Sequence, residues 1–176
     1  MNFKVLKSEV LFKGKVFDLQ VDDIEYESGN KSVRETAVHN GGAVIVPITN
    51  GGKVIFVKQF RYPLKKILIE LPAGKLDKGE DPQICAIREL QEETGYMADT
   101  IKKLGAICTT PGFCTEILHI FLAMDLRPGN HNREEGEQGM EIFEFSISEI
   151  ENKIISGEIY DAKTICGIHL AKSYFK

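Results

Sequence analysis

The stretch GKLDKGEDPQICAIRELQEETGY, residues 74–96, combines a glycine-containing loop with an amphipathic helix. Asp81 is a favourable N-cap residue, and Gly95 suits the position just past the last helical turn. Between them, apolar residues recur at the spacing of one helix face, at Ile84, Ile87 and Leu90. This pattern predicts an α-helix over residues 82–94.

The same helix carries a second, acidic face. Glu89, Glu92 and Glu93 are spaced i, i+3 and i+4, so their carboxylates project from one side. Such groups repel one another, and a solvated acidic surface is the ordinary explanation for them. Here the preceding loop, residues 74–80, adds glycines and a further carboxylate, Glu80. Because magnesium is usually held by a few carboxylates together with substrate phosphates, the combination favours a metal site.

Nine positions of this stretch match the Nudix box, Gly-x5-Glu-x7-Arg-Glu-U-x-Glu-Glu-x-Gly-U, where U is a bulky apolar residue. They are Gly74, Glu80, Arg88, Glu89, Leu90, Glu92, Glu93, Gly95 and Tyr96. The chain therefore resembles the Nudix hydrolases. That resemblance implies an α+β fold, an α/β/α sandwich with a mixed sheet.

The resemblance also implies roles for the residues of the box. Magnesium, or manganese, would be held by Glu89 and Glu93 with Glu92 assisting, and by the backbone carbonyl of Ala73. Arg88 would orient the glutamates through charge-assisted hydrogen bonds. Glu92, Glu93 and Arg88 are thus the predicted catalytic residues of the box. The reaction would be attack of water on a phosphorus of a nucleoside diphosphate derivative, assisted by the metal.

Segments outside the box resemble the bacterial ADP-ribose pyrophosphatases. These segments are VKQFRYPL (57–64), LIELPAGKLDKGE (68–80) and EIYDAKT (158–164). Pro111, 16 positions past Gly95, also matches that subfamily, although Pro-Gly is a common turn pair. The implied activity is hydrolysis of ADP-ribose to AMP and ribose 5-phosphate. Enzymes for GDP-mannose look alike over the same segments, and a non-catalytic nucleotide-sensing Nudix domain is a further alternative, which the intact box disfavours.

The subfamily resemblance implies a set of substrate-binding residues. Arg61 would contact the diphosphate or the terminal ribose, and Glu70 would bind ribose or other substrate hydroxyls. Arg34 would reach the diphosphate from the second subunit of a dimer. Pro111 and Gly112 complete the predicted substrate-binding set. The plainer alternatives are exposed strand ends for the two arginines and a surface ion pair for Glu70.

The family resemblance also implies a general base on the loop before the last strand, which here is residues 133–140, overlapping the polar stretch 127–139. Gln138 stands where the family usually has glutamate, and glutamine cannot accept a proton at neutral pH. Glu137 is the adjacent candidate, Glu135 is the alternative, and an ordinary solvated acidic loop is the third interpretation.

Alternating and apolar runs predict the remaining elements. Residues 16–39 have the pattern of a β-hairpin. By the subfamily resemblance, residues 1–40 would form a small sheet that is exchanged between the two protomers of a homodimer. Residues 41–176 would form the Nudix hydrolase domain. Further strands are predicted over 43–49, 53–61, 103–110, 116–126 and 141–147, and further helices over 146–156 and 161–174.

Composition and charge narrow the class of protein and the partners to be expected. The 176 residues carry a net charge of −4 with no basic stripe, which argues against a nucleic-acid partner. No run approaches the roughly 20 apolar residues of a membrane helix, and the first residues lack the apolar stretch of a secretory signal. A cytoplasmic protein without a membrane or nucleic-acid partner is the expectation.

Overall fold

The computed structural model describes residues 2–130 and 139–175. The chain divides into two compact units. The first comprises Met1–Gly41 and Cys108–Ile117, and the second comprises Gly42–Ile107 and Leu118–Lys176.

The first unit contains an antiparallel sheet of three strands in the order β1-β2-β3. The strands are β1 (Phe3–Lys13), β2 (Asp18–Tyr26) and β3 (Lys31–Val38). The predicted hairpin is present as β2 and β3, with Asp18 opposite Val38 at its open end. The prediction omitted β1, whose alternating charged and apolar residues pair with β2 along its whole length. The N-terminal sheet is therefore larger than a hairpin.

The second unit contains two sheets, with strand orders β10-β5-β6 and β7-β4-β9-β8. The pairs of the first sheet are antiparallel, whereas β4 and β9 run parallel, so the sheet arrangement is mixed as predicted. The strands are β4 (Gly42–Pro47), β5 (Val54–Arg61), β6 (Lys66–Glu70), β7 (Ala73–Lys75), β8 (Tyr96–Cys108), β9 (Ile117–Pro128) and β10 (Glu141–Phe145).

Three helices complete the described part of the second unit: α1 (Pro82–Thr94), α2 (Ile147–Ile155) and α3 (Ala162–Leu170). Ser146 begins α2 with a capping box that includes Glu149. The predicted last helix ends earlier than expected, because the chain tightens into a 3-10 turn over Lys172–Tyr174. None of the helices in the described ranges is long and apolar enough to cross a membrane.

Helices pack on both faces of the β4–β9 pair. Val44 and Val46 on one face of β4 belong to an apolar cluster with Ile150 of α2 and Ile168 of α3. The alternate residues of the same strand, which point to the opposite face, pack against α1. The members of this second cluster are Ala43, Ile45, Leu76, Cys85, Ala86, Leu90, Phe121 and Ala123. This two-sided packing is the predicted α/β/α sandwich, and it fixes the orientation of α1.

Candidate active site

Helix α1 has well-defined ends. The Asp81 side chain accepts hydrogen bonds from the backbone N–H groups of Gln83 and Ile84, and so satisfies donors at the helix start. Gly95 ends the helix in the left-handed conformation, with φ of 71°, where glycine is favoured. The apolar face of α1 is committed to the core, so the orientation of its glutamates is set by packing.

Two glutamates of α1 are buried against β7. Glu93 is 2% exposed, and its carboxylate accepts a hydrogen bond of 3.0 Å from the backbone N–H of Ala73. Glu89 is 6% exposed, and its carboxylate lies directly over the Cα of Gly74. A Cβ at position 74 would fall 1.7 Å from Glu89 Oε1, so only glycine leaves room for this carboxylate. Two charged groups on successive helix turns thus lie against the backbone of one short strand.

Arg88 joins the helix to the preceding loop. Its Nη1 donates to Glu89 at 2.7 Å and to Glu92 at 2.9 Å, while Nε donates to Glu80 at 3.1 Å. The hydrogen bond from Arg88 holds the pKa of Glu80 below its ordinary value. The hydrogen bond to Glu80 is also the main cause of the raised pKa of Arg88. One guanidinium therefore fixes three carboxylates through charge-assisted hydrogen bonds.

The donor set suits a hard divalent cation. Carboxylate and backbone oxygens are the ligands that magnesium takes, and magnesium usually keeps waters or substrate phosphates as its remaining ligands. Within the described ranges, no group of three or more His, Cys, Asp or Glu side chains is arranged to hold a metal ion by itself. Two buried carboxylates beside a glycine backbone are compatible with an open site of this kind, in which the substrate supplies further oxygens.

A second ionic cluster lies at the ends of β5 and β6. Arg61 donates to Glu70 through Nε at 2.8 Å and through Nη2 at 2.6 Å. Lys163 of α3 also donates to Glu70, and to Asp161 at 3.0 Å. Burial alone would raise the pKa of Glu70, but the hydrogen bond from Arg61 and the charge of Lys163 outweigh it and lower that pKa. The charge of Glu93 contributes to the raised pKa of Arg61, which links the two clusters electrostatically.

The structure places Glu70 in the interior of the second unit, since its side chain is only 1% exposed. The surface ion pair considered from the sequence is thus a buried one. Sequence reasoning missed Lys163, because 93 positions separate it from Glu70. The available signal was its place in the segment EIYDAKT, two positions after the Asp161 cap of α3.

The other predicted substrate residues lie in the first unit. Arg34 of β3 is exposed and donates to Ser32 and to the hydroxyl of Tyr26. Pro111 and Gly112 lie in an exposed turn between β8 and β9. Their roles in substrate binding stay predictions. The candidate bases Glu135 and Glu137, together with Gln138, lie outside the described residues.

Comparison with known proteins gives concordant results. The family model of the NUDIX domain matches residues 39–164. The ADP-ribose pyrophosphatase of Bacillus subtilis (strain 168) is 44% identical over 166 residues, which cover 94% of this chain and 90% of that protein. The methanol dehydrogenase activator of Bacillus methanolicus is 40% identical with the same coverage.

A solved structure points to the same fold. The crystal structure of an ADP compounds hydrolase superposes with a TM-score of 0.88 at 20% sequence identity, covering 99% of this chain and 94% of that one. The match of the family model over most of the chain, and the extent of the match to the Bacillus relatives, establish the family. The chain belongs to the Nudix family.

Proposed function

We propose that this Nudix hydrolase cleaves the pyrophosphate bond of ADP-ribose and releases AMP and ribose 5-phosphate. The observation that carries the proposal is the pair of buried carboxylates, Glu89 and Glu93, held against Ala73 and Gly74. The ADP-ribose pyrophosphatase of Bacillus subtilis supports the choice of substrate.

We propose Mg²⁺ as the metal of the reaction, with Mn²⁺ as the alternative. Glu89, Glu93 and the carbonyl of Ala73 would hold it, and Glu92 would assist. When bound, the cation neutralises charge on the pyrophosphate oxygens and lowers the pKa of the attacking water. Arg88 keeps the carboxylates of Glu89 and Glu92 in place through hydrogen bonds of 2.7 and 2.9 Å, so the ligand oxygens need little rearrangement on binding.

The remaining roles complete the proposal. Arg61 binds the diphosphate, because its side chain is 37% exposed and its guanidinium orientation is fixed by Glu70. Glu137 accepts the proton of the attacking water, with Glu135 as the alternative base. Pro111 and Gly112 contact the substrate. Arg34 of a second subunit contacts the diphosphate.

We further propose a homodimer formed by exchange of the N-terminal sheets. Several apolar side chains of β1 are 41–59% exposed, which is more than isolated surface residues explain. They are Phe3, Val5, Leu6, Val10, Leu11 and Phe12. Light scattering is expected to give twice the mass of one chain at assay concentration. Phe12→Asp should shift the mass toward the monomer, whereas a fully active monomer of the parent protein would contradict this assembly.

A hydrolysis panel tests the proposed substrate. The purified protein would be incubated with Mg²⁺ and, separately, ADP-ribose, GDP-mannose, NADH, a diadenosine polyphosphate and an oxidised dGTP, and products would be resolved by chromatography. We expect kcat/KM for ADP-ribose to exceed that for GDP-mannose by about 10²-fold or more, because a pocket built for one base rejects another through unpaired polar groups. Preference for GDP-mannose would retain the reaction and change the substrate. Tight binding of ADP-ribose without turnover would favour a sensing role.

A further inference from the structure

The Glu70 carboxylate is buried and already accepts three hydrogen bonds from two cationic side chains. Its Oε1 accepts from Arg61, and its Oε2 accepts from both Arg61 and Lys163. Its side chain is 1% exposed. Because the carboxylate is buried between its two cationic partners, a ribose hydroxyl would have to open this cluster to reach it, which would be unfavourable. Any effect of Glu70 on substrate binding must therefore pass through the groups that it holds.

Arg61 is the member of the cluster that can reach a ligand. Its Nε and Nη2 are used on Glu70, whereas Nη1 has no hydrogen-bond partner among residues 2–130 and 139–175. Two parallel hydrogen bonds to one carboxylate fix the plane of the guanidinium. The free edge of Arg61 is thus presented in one direction, as required for a contact with a planar or tetrahedral anion.

Lys163, in the first turn of α3, holds Glu70 at the end of β6. Its ammonium contacts Glu70 and, at 3.0 Å, Asp161, and its side chain is only 12% exposed. Asp161 caps α3 by accepting from the N–H and the hydroxyl of Thr164. The same hydroxyl accepts from the backbone N–H of Leu71 at 2.9 Å, directly beside Glu70. The first turn of α3 is therefore tied to the end of β6 at two neighbouring points.

We propose that Lys163 is a positioning residue for substrate binding, which holds Glu70 in place and thereby orients the Arg61 guanidinium toward the diphosphate of the substrate. The inference rests on the proposed function and on the role of Arg61 within it. It assigns Glu70 to the support of Arg61 rather than to a direct contact with ribose.

A double-mutant cycle tests the proposal. KM, kcat and Tm would be measured for Lys163→Gln in the parent protein and in the Arg61→Gln background, with ADP-ribose and Mg²⁺. Lys163→Gln leaves Glu70 with Arg61 and Asp161 with Thr164, so neither carboxylate is left without a donor. We expect KM to rise about tenfold in the parent with kcat within about threefold, the usual effect of losing one charged hydrogen bond that acts on binding. In the Arg61→Gln background we expect no further rise in KM, because the two residues act in series.

Asp161→Asn provides a second variant if Lys163→Gln does not fold. Asparagine is a good N-cap residue, so α3 keeps its start while Lys163 loses one of its two anionic partners. We expect a KM rise of about threefold, again only where Arg61 is present. Lys153→Gln is the matched control, because the half-buried Lys153 makes an ion pair with Glu158 and none with Glu70 or Asp161, so KM should stay unchanged.

Three results would overturn the inference. Equal KM increases with and without Arg61 would make Lys163 an independent substrate contact. A lower Tm with unchanged KM would assign it a purely structural role. An unchanged KM for Arg61→Gln would remove the group through which Lys163 acts, while leaving hydrolysis of ADP-ribose intact. Failure of the parent protein to hydrolyse ADP-ribose would instead contradict the proposed function, and the inference with it.

Discussion

Replacing Glu93 by glutamine is expected to lower kcat for ADP-ribose about 10³-fold, which corresponds to about 4 kcal/mol of transition-state stabilisation. The change removes the negative charge of a group that is 2% exposed, at the position where we propose the metal binds. The amide oxygen of the variant can still accept the hydrogen bond from the Ala73 N–H. The loss should therefore lie in the chemistry and in metal affinity rather than in the fold.

Thermal unfolding without metal provides the critical comparison for Glu93→Gln. Glu93 and Glu89 are buried on successive turns of α1, and removal of one like charge relieves their repulsion. We expect Tm in EDTA to be unchanged or higher than that of the parent. Glu144→Gln, at an exposed position of β10, is the matched control and should retain full activity. A fall in kcat of less than about tenfold would be too small for the loss of a metal ligand.

Gly74→Ala is expected to lower kcat/KM about 10²-fold, although it replaces no ionisable residue. The added methyl group would lie 1.7 Å from Oε1 and 1.9 Å from Cδ of Glu89, so the carboxylate must move. Moving it breaks the 2.7 Å hydrogen bond from Arg88 and takes one proposed ligand away from the site. Steady-state kinetics and Mn²⁺ binding followed by electron paramagnetic resonance would measure the two consequences.

Gly105→Ala is the matched control for that experiment. Among residues 2–130 and 139–175, its added methyl group would meet only Leu170 Cδ1, at 3.5 Å, which is an ordinary van der Waals contact. We expect its activity to remain within about twofold of the parent's. If Gly74→Ala bound Mn²⁺ and turned over ADP-ribose as well as this control, the close packing of Glu89 on Gly74 would have no part in the reaction.

Local sequence signals were sufficient for α1 and its carboxylates. Asp81 and Gly95 determined both ends of the helix, and the predicted range 82–94 agrees with the structure. The spacing of Glu89, Glu92 and Glu93 also fixed which side chains share a face. These inferences succeeded because each depends on residues within a few turns of one another.

Features that depend on distant pairing were missed. The strand character of β1 was not predicted, because its role depends on pairing with β2. The short strands β6 and β7 flank Leu71 and Pro72, and proline at such a position obscures strand patterns. The burial of Glu70 could not be deduced either, since its partner Lys163 lies 93 positions away. Local propensity carries no information on such contacts.

The central claim is that Glu89 and Glu93 support metal-dependent cleavage of the pyrophosphate bond of ADP-ribose. Its most direct test is a product analysis of ADP-ribose incubated with the protein in Mg²⁺ and, in parallel, in excess EDTA. We expect equal amounts of AMP and ribose 5-phosphate in Mg²⁺ and no turnover in EDTA. Cleavage that persists in EDTA, or no cleavage of ADP-ribose with either Mg²⁺ or Mn²⁺, would contradict it.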